Sequence, residues 1–251
     1  MPDKDLLRKF LENQYIEEVG LLRAATTAYP ENVTIYVAND NVLAARALAV
    51  LNSPLAKNVL TTLNSKYNGG WNGKMDILLS RNVPDRFYKP YNEYVGEVNG
   101  YIIFYEEMNE SVVINNWYEY ADLLVYRALD YLLHGSMPEA EQSFLNLIKI
   151  WDGYGFHDIV VKDYENKTGA KRYQVHKCVL FVYFYRALYY ADSDTIRDYD
   201  HILDKCLEIM VMAQDSVYGG IHTDYRIMDG EIVIQGDMNT ETTSMVVFSS
   251  L

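Results

Sequence analysis

One triplet recurs in this chain: Arg46-Ala47-Leu48, Arg127-Ala128-Leu129 and Arg186-Ala187-Leu188. Each copy sits near the end of an apolar run with helical spacing, and each run leads to a second helical run. The second runs end in glycine-bearing loops, Tyr67-Asn68-Gly69-Gly70-Trp71, Asp152-Gly153-Tyr154-Gly155-Phe156-His157-Asp158 and Tyr218-Gly219-Gly220-Ile221-His222-Thr223-Asp224. Helix, helix and glycine loop at uneven spacing is the pattern of stacked helical hairpins, in which each pair buries against its neighbours a face it cannot bury alone. At 251 residues the chain is long enough to build one large core.

The local reading follows the same punctuation. Residues 4–28 carry apolar positions at spacings of three and four and predict an amphipathic helix, stopped at Tyr29-Pro30-Glu31. Residues 33–38 read as a short extended approach, after which Asn39 or Asp40 caps a helix to about Leu51. Pro54 opens the next helix, to about Ser65. The stretch 66–114 reads as an elaborated loop with β-like pieces at 75–79 and 101–105 and an Asn99-Gly100 hairpin turn. Helix returns at 117–133, stopped by Gly135, and again from Ser136-Met137-Pro138-Glu139 to Trp151. Residues 159–174 predict a second hairpin turning near Lys167-Thr168-Gly169. A strongly apolar helix covers 173–190, Asp194 caps another to Gln214, a third hairpin turns at Met228-Asp229-Gly230-Glu231, and 239–251 form a last short helix.

In order, short or very apolar helices near residues 39, 117, 175 and 239 alternate with amphipathic ones at 54–65, 137–151, 196–214 and 4–28. Apolar helices belong inside and amphipathic ones outside. The expected architecture is therefore mainly α: an α/α toroid of about four helical hairpins over 1–251, a single domain. The first helix closes the circle against the last, and small β-hairpins gather at one mouth.

Glycine loops ahead of each inner helix, seen in Gly69-Gly70-Trp71, Gly155-Phe156-His157-Asp158, Gly219-Gly220-Ile221-His222 and Asn239-Thr240-Glu241-Thr242-Thr243, resemble those of the α/α-toroid group. That group includes the six-hairpin glycosidases, and this chain has fewer hairpins than their norm. The resemblance implies a carbohydrate ligand and glycosidase-like chemistry in the central cavity. Inner-helix N-termini point to one mouth, where the helix dipole favours anionic groups. Asp40, Asp122 and Glu241 are the candidate acid/base carboxylates, since two carboxylates can divide acid and base duty at a glycosidic bond. Trp71, His157, Asp158, His176, His222, Asp224 and Tyr225 are the candidate substrate-binding residues. The competing reading is a non-catalytic binding or interaction module, extracellular or part of an assembly.

Composition narrows the partners. A formal charge of −13 argues against nucleic acid, whose phosphates need a Lys/Arg footprint. No apolar run approaches the length of a spanning helix, so membrane insertion is not expected. Neither H-x-H nor H-E-x-x-H spacing occurs, and no P-loop, G-x-G-x-x-G or G-x-S-x-G, so neither metal nor cofactor is expected. The chain's 23 tyrosines suit half-buried walls with polar tips. Cys178 and Cys206 fall on predicted helices as two buried thiols. The absence of a signal peptide fits the cytoplasm, or, if this is a trimmed domain, the extracellular space.

Overall fold

The computed structural model describes residues 1–27 and 30–250. Helix α1 (Lys4–Gln14) starts where the Asp3 carboxylate accepts from the Asp5 and Leu6 backbone N–H groups, and it buries Leu7, Phe10 and Leu11. It stops earlier than the apolar spacing predicts. Residues 15–22 form a tight antiparallel pair, β1 (Tyr15–Ile16) and β2 (Leu21–Leu22). Gly20 decides this: its φ is +78°, and a Cβ there would stand 2.4 Å from Thr62 Oγ1. Apolar residues that read as further helical turns instead fold back onto the core. The expected stop at Tyr29 lies outside the described residues, as does Leu251.

Next come β3 (Thr34–Val37), α2 (Asp40–Val50) and α3 (Leu55–Lys66). The segment 75–79, expected as extended, is a 3-10 turn, Asp76–Leu79. The hairpin expected at Asn99-Gly100 is present and long, with β4 (Tyr88–Val98) paired to β5 (Tyr101–Val113); both turn residues have positive φ. α4 (Ala121–Leu133) and α5 (Met137–Lys149) follow. Residues 159–174 are not the expected hairpin. Asp158 accepts from the Val160 and Val161 N–H groups and Gly169 closes the other end at φ +74°, so α6 (Ile159–Thr168) forms despite its β-branched start. Two caps outweigh a weak local β preference. The chain ends with β6 (Tyr173–Gln174), α7 (Val175–Tyr190), α8 (Asp200–Met212), β7 (Ile221–Met228), β8 (Glu231–Asn239) and α9 (Thr240–Ser249).

The helices form two layers. Inner α2, α9, α7 and α4 pack in that order, each with an outer partner: α2 with α3, α4 with α5, α7 with α8, and α9 with α1. Between α4 and α2 the circle is filled by residues 68–79, whose first 3-10 turn rests on α2 and α3 and whose second rests on α4. The molecule is thus an α/α toroid of four helix pairs. Its seam joins the two ends of the chain, as expected. Gln214 exchanges hydrogen bonds with the Asp3 backbone at 2.7 and 2.9 Å, Thr240 N donates to Ala24 O at 2.8 Å, and Thr26 N to Met238 O at 3.2 Å.

The repeated triplets lie on α2, α4 and α7. Their Ala47, Ala128, Leu48, Leu129 and Leu188 are buried, and small Ala lets inner helices approach closely. The arginines differ. Arg127 is buried between Asp130 and the Pro84 carbonyl, Arg186 donates to the Ser249 carbonyl and so ties α7 to α9, and Arg46 is exposed. Cys178 and Cys206 are buried, 2.6 Å apart, between α7 and α8.

Two three-stranded sheets, β3-β5-β4 and β6-β7-β8, lie at one end of the toroid. β3, β6 and β8 run almost directly into α2, α7 and α9. The sheets therefore hold three of the four inner-helix N-termini at the same mouth.

Candidate functional site

The first turns of α2, α4 and α9 carry Asp40, Asp122 and Glu241, a placement the helix dipole favours. α7 differs, carrying His176 and Lys177 in its first turn. These side chains face two adjoining cavities. The first, of about 460 Å³, is lined by Asp40, Glu106, Arg172, Asp224 and Glu241 among others. The second, of about 560 Å³, is lined by Lys74, Tyr120, Asp122, Tyr126, His176, Lys177 and again Glu241. Glu241 stands at the partition. All three expected acid/base candidates and His176 are thus at one mouth.

Their surroundings push them apart. Asp40 is buried, and Asn39 in front of the helix makes no side-chain cap. Burial drives the Asp40 carboxyl well above the usual carboxylate range, reinforced by Glu241 and Glu106. Glu241 moves the same way, to about 7: burial raises it, Lys74 pulls it down, and Glu106 and Asp122 raise it again. Asp122 goes below the ordinary range. Burial works to raise it, but Lys74, Lys177 and His176 together outweigh that. Its Oδ1 is buried and has no hydrogen-bond partner among the described residues. His176 falls to about 4, chiefly through burial, so its imidazole is neutral at pH 7. Near neutrality the mouth holds an ionised Asp122 beside a Glu241 that still carries its proton part of the time.

Lys74, Glu106 and Arg172 were not among the sequence candidates. Lys74 is held by a short knot: its N–H donates to Asn72 Oδ1 at 3.1 Å, Asn72 Nδ2 donates to Asn39 Oδ1 and Glu106 Oε1 at 2.9 Å each, and Gly73 N donates to Asp76 Oδ2 at 2.8 Å. A lone lysine in a glycine turn carries no sequence signal of its own. Glu106 is legible only in part, because the Asn99-Gly100 turn sets its strand register but not which face meets the mouth.

Of the expected substrate-binding residues, His176 and Asp224 line the cavities; Asp224 is buried and held by Arg172 at 2.9 Å and Thr223 Oγ1 at 2.7 Å. The rest lie elsewhere. Tyr225 is in the core, stacked on Tyr173 at 5.3 Å with its hydroxyl on the Tyr154 carbonyl at 2.9 Å. Asp158 is fully buried, capping α6 and paired to Lys177 at 2.6 Å. Trp71 lies under the Arg81 guanidinium, 3.5 Å from its ring centre. His157 meets Glu165 at 2.7 Å, and His222 donates to the Gly236 carbonyl at 2.9 Å. The glycines before these residues mark turns, and the following side chains serve packing as readily as the cavity. Among the described residues no group of His, Cys, Asp and Glu is arranged to hold a metal ion.

No family model matches the chain, and no curated protein matches it. Among solved structures, it is similar to the GH76A alpha-1,6-mannanase from Salegentibacter sp. HEL1_6, with 13% identity over 97% of this chain and 61% of that one and a TM-score of 0.37. An inactive variant of that mannanase, in complex with alpha-1,6-mannotriose, matches with 14% identity over 92% of this chain and 57% of that one, TM-score 0.33. The chain spans about three fifths of the length of these structures. Likeness of this degree carries no weight about chemistry, and the site stands on its own residues.

Proposed function

We propose that the chain is a carbohydrate-active toroid that hydrolyses glycosidic bonds at its mouth. The observation that carries this reading is a set of carboxylates at one mouth, on either side of Glu241, whose environments drive them in opposite directions. Such a separation assigns acid and base roles. Glu241 acts as the general acid: it passes its proton to the glycosidic oxygen as the bond from that oxygen to the anomeric carbon breaks. Asp122, ionised, meets the positive charge that develops at the anomeric carbon. A water oxygen then bonds to that carbon, and the proton the water sheds returns to the carboxylate that Glu241 has become. Asp40, buried beside Glu241, is itself driven towards its protonated form, while Glu106 and Asp122 keep the Glu241 proton in place by like-charge repulsion. Lys74 holds Asp122 ionised, and Tyr120, Asp224 and the neutral imidazole of His176 offer polar contacts to sugar hydroxyls.

The test is turnover on a glycan panel that includes alpha-1,6-mannan, comparing the parent with Asp122→Asn and Glu241→Gln. Each single change is expected to remove on the order of a hundredfold or more of the rate. Unchanged turnover in both variants overturns the assignments, and a parent inert on every glycan overturns the enzyme.

A non-catalytic interaction module is the second reading. It draws on an apolar groove of about 330 Å³ at the far end of α4 and α7, lined by Leu129, Leu132, Leu133 and Tyr183. Glycan binding with no hydrolysis of any panel member would favour it.

A further inference from the structure

The wall of the first cavity is one face of the β3-β5-β4 sheet. In its register Tyr36 pairs with Phe104, Phe104 with Tyr94, and, two residues along, Glu106 with Asn92. Residues two apart on a strand share a face, so all five side chains lie on the same side. Three of them, Tyr36, Asn92 and Glu106, line the cavity, which identifies that side as the inward one. The aromatic members form a continuous row. Tyr36 and Phe104 stack with ring centres 5.8 Å apart at 22°, and Tyr94 meets Phe104 edge-on at 6.1 Å. The row begins at the cavity wall with Tyr36 and ends in solvent with Tyr94, which is 60% exposed.

We propose that this row is an extended sugar-binding platform, which guides a linear chain of neutral pyranoses from the surface to the cavity beside Glu241. The proposal rests on the carbohydrate reading above and extends it to substrate length and charge. Three neighbouring strands span about 10 Å, on the order of two sugar rings laid end to end. Aromatic faces suit the C–H faces of pyranoses, and Tyr adds a polar tip. Asn92 and Glu106, beside the row, are placed to take hydroxyl hydrogen bonds.

A purely structural row has no need of its outermost member. Phe104 and Tyr36 already cover each other, whereas Tyr94 leaves most of its surface in water. Charge sets the class of sugar. Arg172 is taken up by Asp224, and Glu31 and Glu106 keep this cavity negative even where Asp40 and Glu241 hold protons, so a polyuronate or sulfated chain meets like charge there.

The experiment measures binding by calorimetry in an Asp122→Asn background, so that long ligands survive. The probes are di- and hexasaccharides of mannose, glucose, galactose and xylose, with hexagalacturonate as the acidic comparison. Tyr94→Ala is expected to weaken binding of the best neutral hexamer about fivefold to tenfold and leave its dimer within about twofold, and Tyr94→Phe to retain hexamer binding. Because Tyr94 is exposed, Tm should hold in both variants. Equal losses on dimer and hexamer, or no loss on the hexamer, overturn the platform and leave the carbohydrate reading standing. Tighter binding of hexagalacturonate than of every neutral hexamer overturns the charge argument. If the Tyr94-containing protein binds none of the saccharides, the carbohydrate reading falls and the platform falls with it.

Discussion

Replacing Asp158 by Ala separates a structural carboxylate from a ligand-binding one. Asp158 joins three elements: Oδ1 accepts from Val160 N at 3.1 Å and Val161 N at 3.3 Å, Oδ2 accepts from Ala121 N at 3.1 Å, and Oδ2 stands 2.6 Å from Lys177 Nζ. The Lys177 and Asp158 side chains are 3% and 0% exposed. Loss of the α6 cap costs about 1 kcal/mol. Orphaning the buried Ala121 N–H adds about 1–3 kcal/mol. Leaving the Lys177 ammonium buried without its partner costs about 3–5 kcal/mol. These effects share atoms and do not simply add, so the expected destabilisation is about 5 kcal/mol. In a chain of this size that lowers Tm by about 10–20 °C. The assay is urea unfolding followed by tryptophan fluorescence, with thermal melting beside it. Asp158→Ala combined with Lys177→Met should be milder than Asp158→Ala alone, because the double variant buries no lone charge. An Asp158→Ala protein within about 1 kcal/mol of the parent, but unable to bind glycan, would refute this reasoning and restore Asp158 as a substrate residue.

Turnover should fall as pH rises through about 7, where Glu241 loses its proton, and the acid limb should lie below the ordinary carboxylate range, where Asp122 gains one; a pH–rate profile checks both limbs. The same displacement bears on stability. A carboxyl with a raised folded-state pKa favours the folded state when protonated, so Glu241 weakens the fold as pH climbs from its ordinary 4.5 towards 7. Glu241→Gln should therefore melt higher than the parent at pH 8 and about level with it at pH 4, as read by calorimetry. At Gly219 φ is +84° and a Cβ would stand 2.2 Å from the Leu6 carbonyl oxygen, so Gly219→Ala should loosen α1 and destabilise by about 2 kcal/mol or more in urea unfolding.

The sequence by itself determined the alternation of inner and outer helices and, α1 and α6 apart, roughly where they stop. Apolar residues at helical spacing fix which helices are inner. Asn99-Gly100 and Asp229-Gly230 fix two hairpins, because only residues tolerant of positive φ turn so tightly. Those signals are local, and so is the placement of Asp40, Asp122 and Glu241 in first turns. Local signals failed where a distant atom decided. Gly20 turns the chain after α1 because Thr62 leaves no room for a side chain. Residues 159–168 are helical because Asp158 is buried as a cap against α4 and α7. Whether the residue after a glycine faces the cavity or the core was likewise invisible: Asp224 lines the mouth while Tyr225, its neighbour on the strand, stacks inside. Only the closed circle brings Lys74 from a loop to Asp122 on α4 and Glu241 on α9. Their charges act through space, so the opposed displacements of Asp122 and Glu241 exist only once the toroid has formed.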